Sequence, residues 1–92
     1  MRHPLAALTA GILLAEHDYL VGHFYLRRKA WRAAKGRMDT ILTAYPEYAG
    51  LDKVLYEAGL LETKMGNRDE ARTLWERLAR PYLTAAGSLE RG

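Results

Sequence analysis

Cysteine is absent from these 92 residues. That removes disulfides, thiolate nucleophiles and cysteine-ligated metals together, and it leaves the redox compartment open. Serine occurs once, at Ser88, and no glycine-rich phosphate loop is present. Proline is scarce, with 3 residues beside 8 glycines, so long helices have room. No apolar run is long enough to cross a bilayer: the longest spans residues 5–15, against roughly 18 residues for a transmembrane helix. Acidic residues are missing from 27–37, where Arg27, Arg28, Lys29, Arg32, Lys35 and Arg37 stand without a counter-charge. An apolar fraction of 49% with 27% charged residues describes a globular chain rather than a disordered one. Its length fits one domain, residues 1–92, with a thin stability margin.

What is present is helical periodicity. Pro4 suits a first helical turn, and only Gly11 and Gly22 interrupt the pattern from Leu5 to Arg28. One long helix, or two nearly collinear ones, is therefore expected there in preference to a cleaved signal segment. The apolar residues Tyr19, Leu20, Val21, Phe24, Tyr25 and Leu26 cover more than half of its circumference, which predicts packing on two sides. A turn is expected near Arg28–Ala30. A second helix over 31–44 carries Trp31, Ala34, Met38, Ile41, Leu42 and Tyr45 as one stripe and stops at Pro46. After the connector 47–50 comes a third helix over 51–65. Gly66 suits a left-handed stop, and Asn67 with Glu70 suits a capping box. The fourth helix is expected over 68–80, followed by a fraying tail at 83–92.

The chain repeats itself at an offset of 37. Tyr19, Gly22, Ala34 and Met38 map to Tyr56, Gly59, Ala71 and Trp75. Gly22 facing Ala34, and Gly59 facing Ala71, would let paired helices approach closely, offsetting the roughly 1 kcal/mol that glycine costs inside a helix. The small and aromatic spacing followed by proline resembles the tetratricopeptide (TPR) repeat. The expected fold is all-α: an apolar N-terminal helical segment at 1–14, then two TPR-like hairpins at 15–46 and 52–82. Two stretches, LAEHDYLVGHFYLRRKAWRAAKGRMDTILTAYPEY and VLYEAGLLETKMGNRDEARTLWERL, are similar to the C-terminal repeats of BamD/YfiO-like outer-membrane assembly lipoproteins. The resemblance implies a non-catalytic scaffold on the periplasmic side of the outer membrane, attached only indirectly to the membrane, within the machinery that inserts β-barrel proteins.

In TPR proteins the first helix of each hairpin lines a concave groove. The resemblance therefore assigns partner binding to Tyr19, His23 and Arg27 and to their equivalents Tyr56, Leu60 and Lys64, which would hold a protein or peptide through aromatic contacts and a cation. Other chemistries are weaker. The basic run 27–37 with Trp31 suits nucleic acid in composition, but the net charge is only +3 and no nucleic-acid motif accompanies it, so no nucleic-acid partner is expected. His17 and His23 are six apart, off the spacing that puts two metal ligands on one helix face. No metal, cofactor or catalytic residue is expected. The alternative to a groove-binding scaffold is a self-associating helical module. Leu5, Leu8, Ile12 and Leu13 form an apolar stripe that a symmetric homodimer would cover.

Overall fold

The computed structural model describes the backbone of residues 4–91 and the side chains of residues 10–82. Four helices follow one another: α1 (Pro4–Arg27), α2 (Trp31–Ala44), α3 (Leu51–Lys64) and α4 (Arg68–Arg91). They form two helix–turn–helix hairpins of the TPR type, all-α over the described residues, with α2 packed on α1 and on α3, and α4 packed on α3. None of them is long and apolar enough to cross a membrane.

The core sits at the junction of the two hairpins. Ala15 of α1, Ala34, Met38 and Ile41 of α2, and Val54, Ala58 and Leu61 of α3 are buried together. These are positions on the i, i+3, i+4 stripes of their helices, which is why periodicity alone identifies them. Tyr48 joins them from the connector. Its ring folds over Gly50, where a Cβ would lie 2.7 Å from ring carbons. The connector is therefore a packed element, not a plain spacer.

Both hairpin turns have the same hydrogen-bond geometry. At the first, the Lys29 N–H donates to the Leu26 carbonyl and the Ala30 N–H to that of Tyr25; at the second, Gly66 and Asn67 donate to Thr63 and Glu62. This is the Schellman pattern, which requires a left-handed residue. Lys29 and Gly66, also 37 apart, adopt it with φ of 62° and 83°.

The structure departs from the sequence-based expectation in four places. First, Leu20 and Phe24 are exposed. Helix α1 meets α2 on one side and α3 on another, through Tyr19, but the side that carries Leu20 and Phe24 has no helix on it among the described residues, so the apolar surface is only partly covered. Second, the group over Gly59 is not Ala71. A Cβ there would lie 2.0 Å from Trp75 Nε1, and that indole donates to the Tyr56 carbonyl at 3.4 Å. Gly22 does approach Ala34, whose carbonyl oxygen lies 3.5 Å from a built Cβ, but Met38 Cε is nearer, at 2.9 Å. Third, Asn67 forms no capping box with Glu70. Its N–H goes to the Glu62 carbonyl and its Nδ2 to Glu62 Oε2 at 2.8 Å. Fourth, α4 runs through Pro81 to Arg91 rather than ending at residue 80. Proline withholds one N–H from the ladder, but Pro81 is exposed, so water can serve the Arg77 carbonyl left over.

Candidate partner-binding surface

The first helices of the two hairpins, α1 and α3, are joined by a polar seam. Tyr19 and His23, one turn apart on α1, stack with ring centroids 5.9 Å apart. Both reach the same oxygen of Glu57 on α3. The Tyr19 hydroxyl donates to Glu57 Oε1 at 3.0 Å, and His23 Nδ1 lies 3.0 Å from that atom. Glu57 Oε2 is buried with no partner among the described residues. Lys53, one turn before Glu57, holds its ammonium 4.2 Å above the Tyr19 ring and 3.9 Å from Glu16 Oε2. Glu16 Oε1 accepts the Tyr48 hydroxyl at 2.5 Å.

These contacts alter the two phenols. Burial first, and then the hydrogen bond to Glu57 and the charges of Glu57 and Glu16, push Tyr19 up to about 12. Burial, the hydrogen bond to Glu16 and the Glu16 charge likewise push Tyr48 up to about 12. Both phenols stay protonated as donors at any physiological pH. The seam therefore fixes α1 against α3 and shapes the surface between them.

The predicted groove residues divide into two groups. Tyr19 and His23 are half-buried and committed to Glu57. Arg27 lies beyond them, in a depression lined also by Leu20, His23, Phe24 and Arg28. Arg28 stacks its guanidinium 4.2 Å over Phe24 there. On α3, Tyr56 is 47% exposed and Leu60 is half-buried. Lys64 points its ammonium at Trp31 of α2, 5.9 Å from the ring centre. Of the self-association stripe, Ile12 and Leu13 are 52% and 64% exposed, while the Leu5 and Leu8 side chains lie outside the described residues.

Three charged residues outside the predicted binding stripe also organise this region. Glu57 takes both groove residues of α1. Asp18, buried, accepts Arg37 Nη1 at 2.9 Å across the first hairpin. Glu62, buried on α3, is held by Lys35 of α2 at 3.3 Å and by Asn67. Glu62 was visible in the sequence as an acid in an apolar register opposite the tyrosine of the other repeat. Glu57 gave no such signal, because its equivalent is Leu20.

The two TPR-like hairpins define a helical-repeat fold. The chain belongs to the YfiO family of outer membrane lipoproteins, which matches residues 10–78. It is 36% identical over 63 residues to the outer membrane protein assembly factor BamD of Xylella fastidiosa (strain 9a5c). That alignment covers 65% of this chain and 22% of the relative's own length. No solved structure matches the chain.

Proposed function

We propose that this chain is a non-catalytic protein-binding scaffold that serves outer-membrane β-barrel protein assembly from the periplasmic side. Membership of a family of outer membrane lipoproteins supports the setting, as does similarity to a protein named an outer membrane protein assembly factor. The observation that carries the binding role is the half-exposed Tyr56 on α3, with the exposed Arg27 on α1, its companion in the stripe predicted from the repeat. The Glu57 seam ties α1 to α3, and Arg27 and Tyr56 remain exposed beside it. An aromatic ring with flanking cations on a rigid base suits an extended or helical protein segment.

Photo-crosslinking in cells tests this reading. A crosslinking amino acid in place of Tyr56 or Arg27 should form adducts with components of the outer-membrane assembly machinery. The same amino acid in place of Thr43, exposed on α2, should not. Identical adducts at all three positions, or none at Tyr56 and Arg27, would remove the groove. The Tyr56→Ala variant should keep its helicity, since that side chain is half in solvent.

A second reading follows from the exposure of Ile12 and Leu13: the N-terminal part of α1 joins two copies of the chain. Light scattering of the wild type and of an Ile12→Glu, Leu13→Glu variant separates the readings. A monomer in both cases rules out this dimer.

A further inference from the structure

Consecutive packed helices alternate in direction, so the α1–α2 and α3–α4 turns share one edge of the fold, and the α2–α3 connector lies on the other. The Lys64 ammonium over the Trp31 ring brings the two turns together. Charge separates the two edges. Residues 27–32 hold Arg27, Arg28, Lys29 and Arg32 with no acid, and Lys64 and Arg68 flank the second turn beside a single acid, Asp69. Residues 38–52, which lead into and out of the connector, hold Asp39, Glu47 and Asp52 with no cation. Arg28, Lys29, Arg32 and Arg68 are exposed and bonded to no acid among the described residues. Lys35, Arg37 and Lys53, which lie between helices, are each paired. Stacking of hairpins covers helix faces and not turns, so a turn edge stays open however many repeats adjoin it.

Lys29 supplies an independent observation. It holds the left-handed position of its turn with φ of 62°, where the other turn has Gly66. The turn itself needs no side chain there, and an L-residue is strained in that conformation. Strain of this kind collects at functional positions. The lysine brings an exposed charge to the turn at a cost to the backbone. Two features favour a lipid surface over an acidic protein segment as the occupant. The cations are spread along an edge across two hairpins rather than gathered round a cleft, and an array of headgroup phosphates meets them wherever they point. The acidic connector edge is repelled from an extended negative plane, which turns the molecule with its hairpin turns toward that plane. We propose that the edge formed by the two hairpin turns docks on a membrane surface bearing anionic phospholipid headgroups, through Arg28, Lys29, Arg32 and Arg68. This contact is direct, where the family resemblance implies only an indirect attachment. It uses neither Tyr56 nor Arg27 and stands if the groove fails.

Co-sedimentation of the intact chain with vesicles tests this. Binding is expected to vesicles of phosphatidylcholine and phosphatidylglycerol in equal parts and not to phosphatidylcholine alone, and it should weaken as added salt screens the charges. Each cation removed should weaken it about fivefold, the size of one Lys or Arg at an anionic membrane surface. Lys29→Gly is the sharpest variant, because it should raise Tm while weakening binding, and loss of fold cannot produce that combination. Arg32→Gln gives a second measurement with the turn unaltered, and circular dichroism checks both variants. Arg80→Gln, an exposed position on α4 away from the turns, should bind as the wild type does. The proposal is overturned by absence of binding, by equal binding to neutral vesicles, by unchanged binding of Lys29→Gly and Arg32→Gln, or by an equal loss in Arg80→Gln. It is also overturned if a polyglutamate peptide binds as tightly as the charged vesicles at matched charge concentration, because the occupant is then an acidic protein segment.

Discussion

Replacing Lys29 with glycine should stabilise this protein. Lys29 sits at the left-handed position of a complete Schellman turn with φ of 62°. An L-residue pays roughly 1–2 kcal/mol for that conformation because its Cβ crowds the following carbonyl. Glycine returns roughly 0.4–1 kcal/mol of this through the greater freedom of its unfolded chain. The net gain is therefore about 0.5–1 kcal/mol, equivalent to a rise of a few degrees in Tm for a domain of this length. Lys29 also belongs to a run of six cations without an acid, so relief of charge repulsion must be separated from backbone relief. Lys29→Ala makes that separation: it removes the charge and keeps the Cβ. Thermal melts followed by circular dichroism should place Lys29→Gly above both the wild type and Lys29→Ala. The reciprocal change, Gly66→Ala, should lower Tm, because Gly66 holds the same position with φ of 83°. If Lys29→Gly melts no higher than Lys29→Ala, the turn is not strained and the argument fails.

The two equivalent helix glycines should behave differently. Gly59→Ala pushes a Cβ into the Trp75 ring, 2.0 Å from Nε1, and should cost about 1–3 kcal/mol by overpacking. Gly22→Ala meets the movable end of Met38 at 2.9 Å and, less severely, the backbone-fixed Arg37 Cβ at 3.1 Å; with about 1 kcal/mol of helix propensity gained in return, it should lower Tm less than Gly59→Ala does, and equal losses in the two melts would refute the distinction. Alkali should unfold the chain before it affects a typical helical domain. Tyr19 and Tyr48 titrate near 10 when unfolded but about 12 when folded. Their contribution is therefore complete below pH 10 and is lost as pH rises toward 12. Lys35, raised by its hydrogen bond to Asp39, acts with the same sign. A Tyr19→Phe, Tyr48→Phe variant should show a shallower fall in Tm over that range, and an unchanged slope would contradict the pairing with Glu57 and Glu16.

Helix number, helix faces and the hairpin crossing at Gly22 were legible in the sequence because each is a local matter of spacing. The positions of Ala34, Met38 and Ile41 declare themselves by period. The first turn was harder to read, since Lys29 stands where glycine is usual, yet its hydrogen bonds copy those of Gly66. Pro81 misled in the opposite direction: a proline ends a helix only where the orphaned carbonyl cannot be hydrated or the ring cannot be placed outward. The polar seam was not legible at all. It joins α1 to α3 through Tyr19, His23 and Glu57, which are 34 to 38 residues apart. A comparison at a fixed offset pairs equivalent residues, and equivalent residues are not neighbours.

That difference also explains why the predicted binding stripe divides. Equivalent positions share a helix face, but the number of helices around them sets their burial. Leu61 is fully buried while its equivalent Phe24 is 50% exposed; Met38 is fully buried while its equivalent Trp75 is 38% exposed. In each pair, the buried member lies at the junction of the hairpins and the exposed one on an outer helix. The same holds for polar groups. Glu57 is enclosed because α1 lies beside α3, whereas Leu20 at the equivalent place on α1 faces solvent. Tyr19 and His23 are consequently occupied by an intramolecular acid. Tyr56, with no further hairpin beside it among the described residues, remains available. Among the described residues, the exposure of Tyr56 therefore comes from its place on the side of α3 that no second hairpin covers, and not from its own position in the repeat, which is that of the half-buried Tyr19.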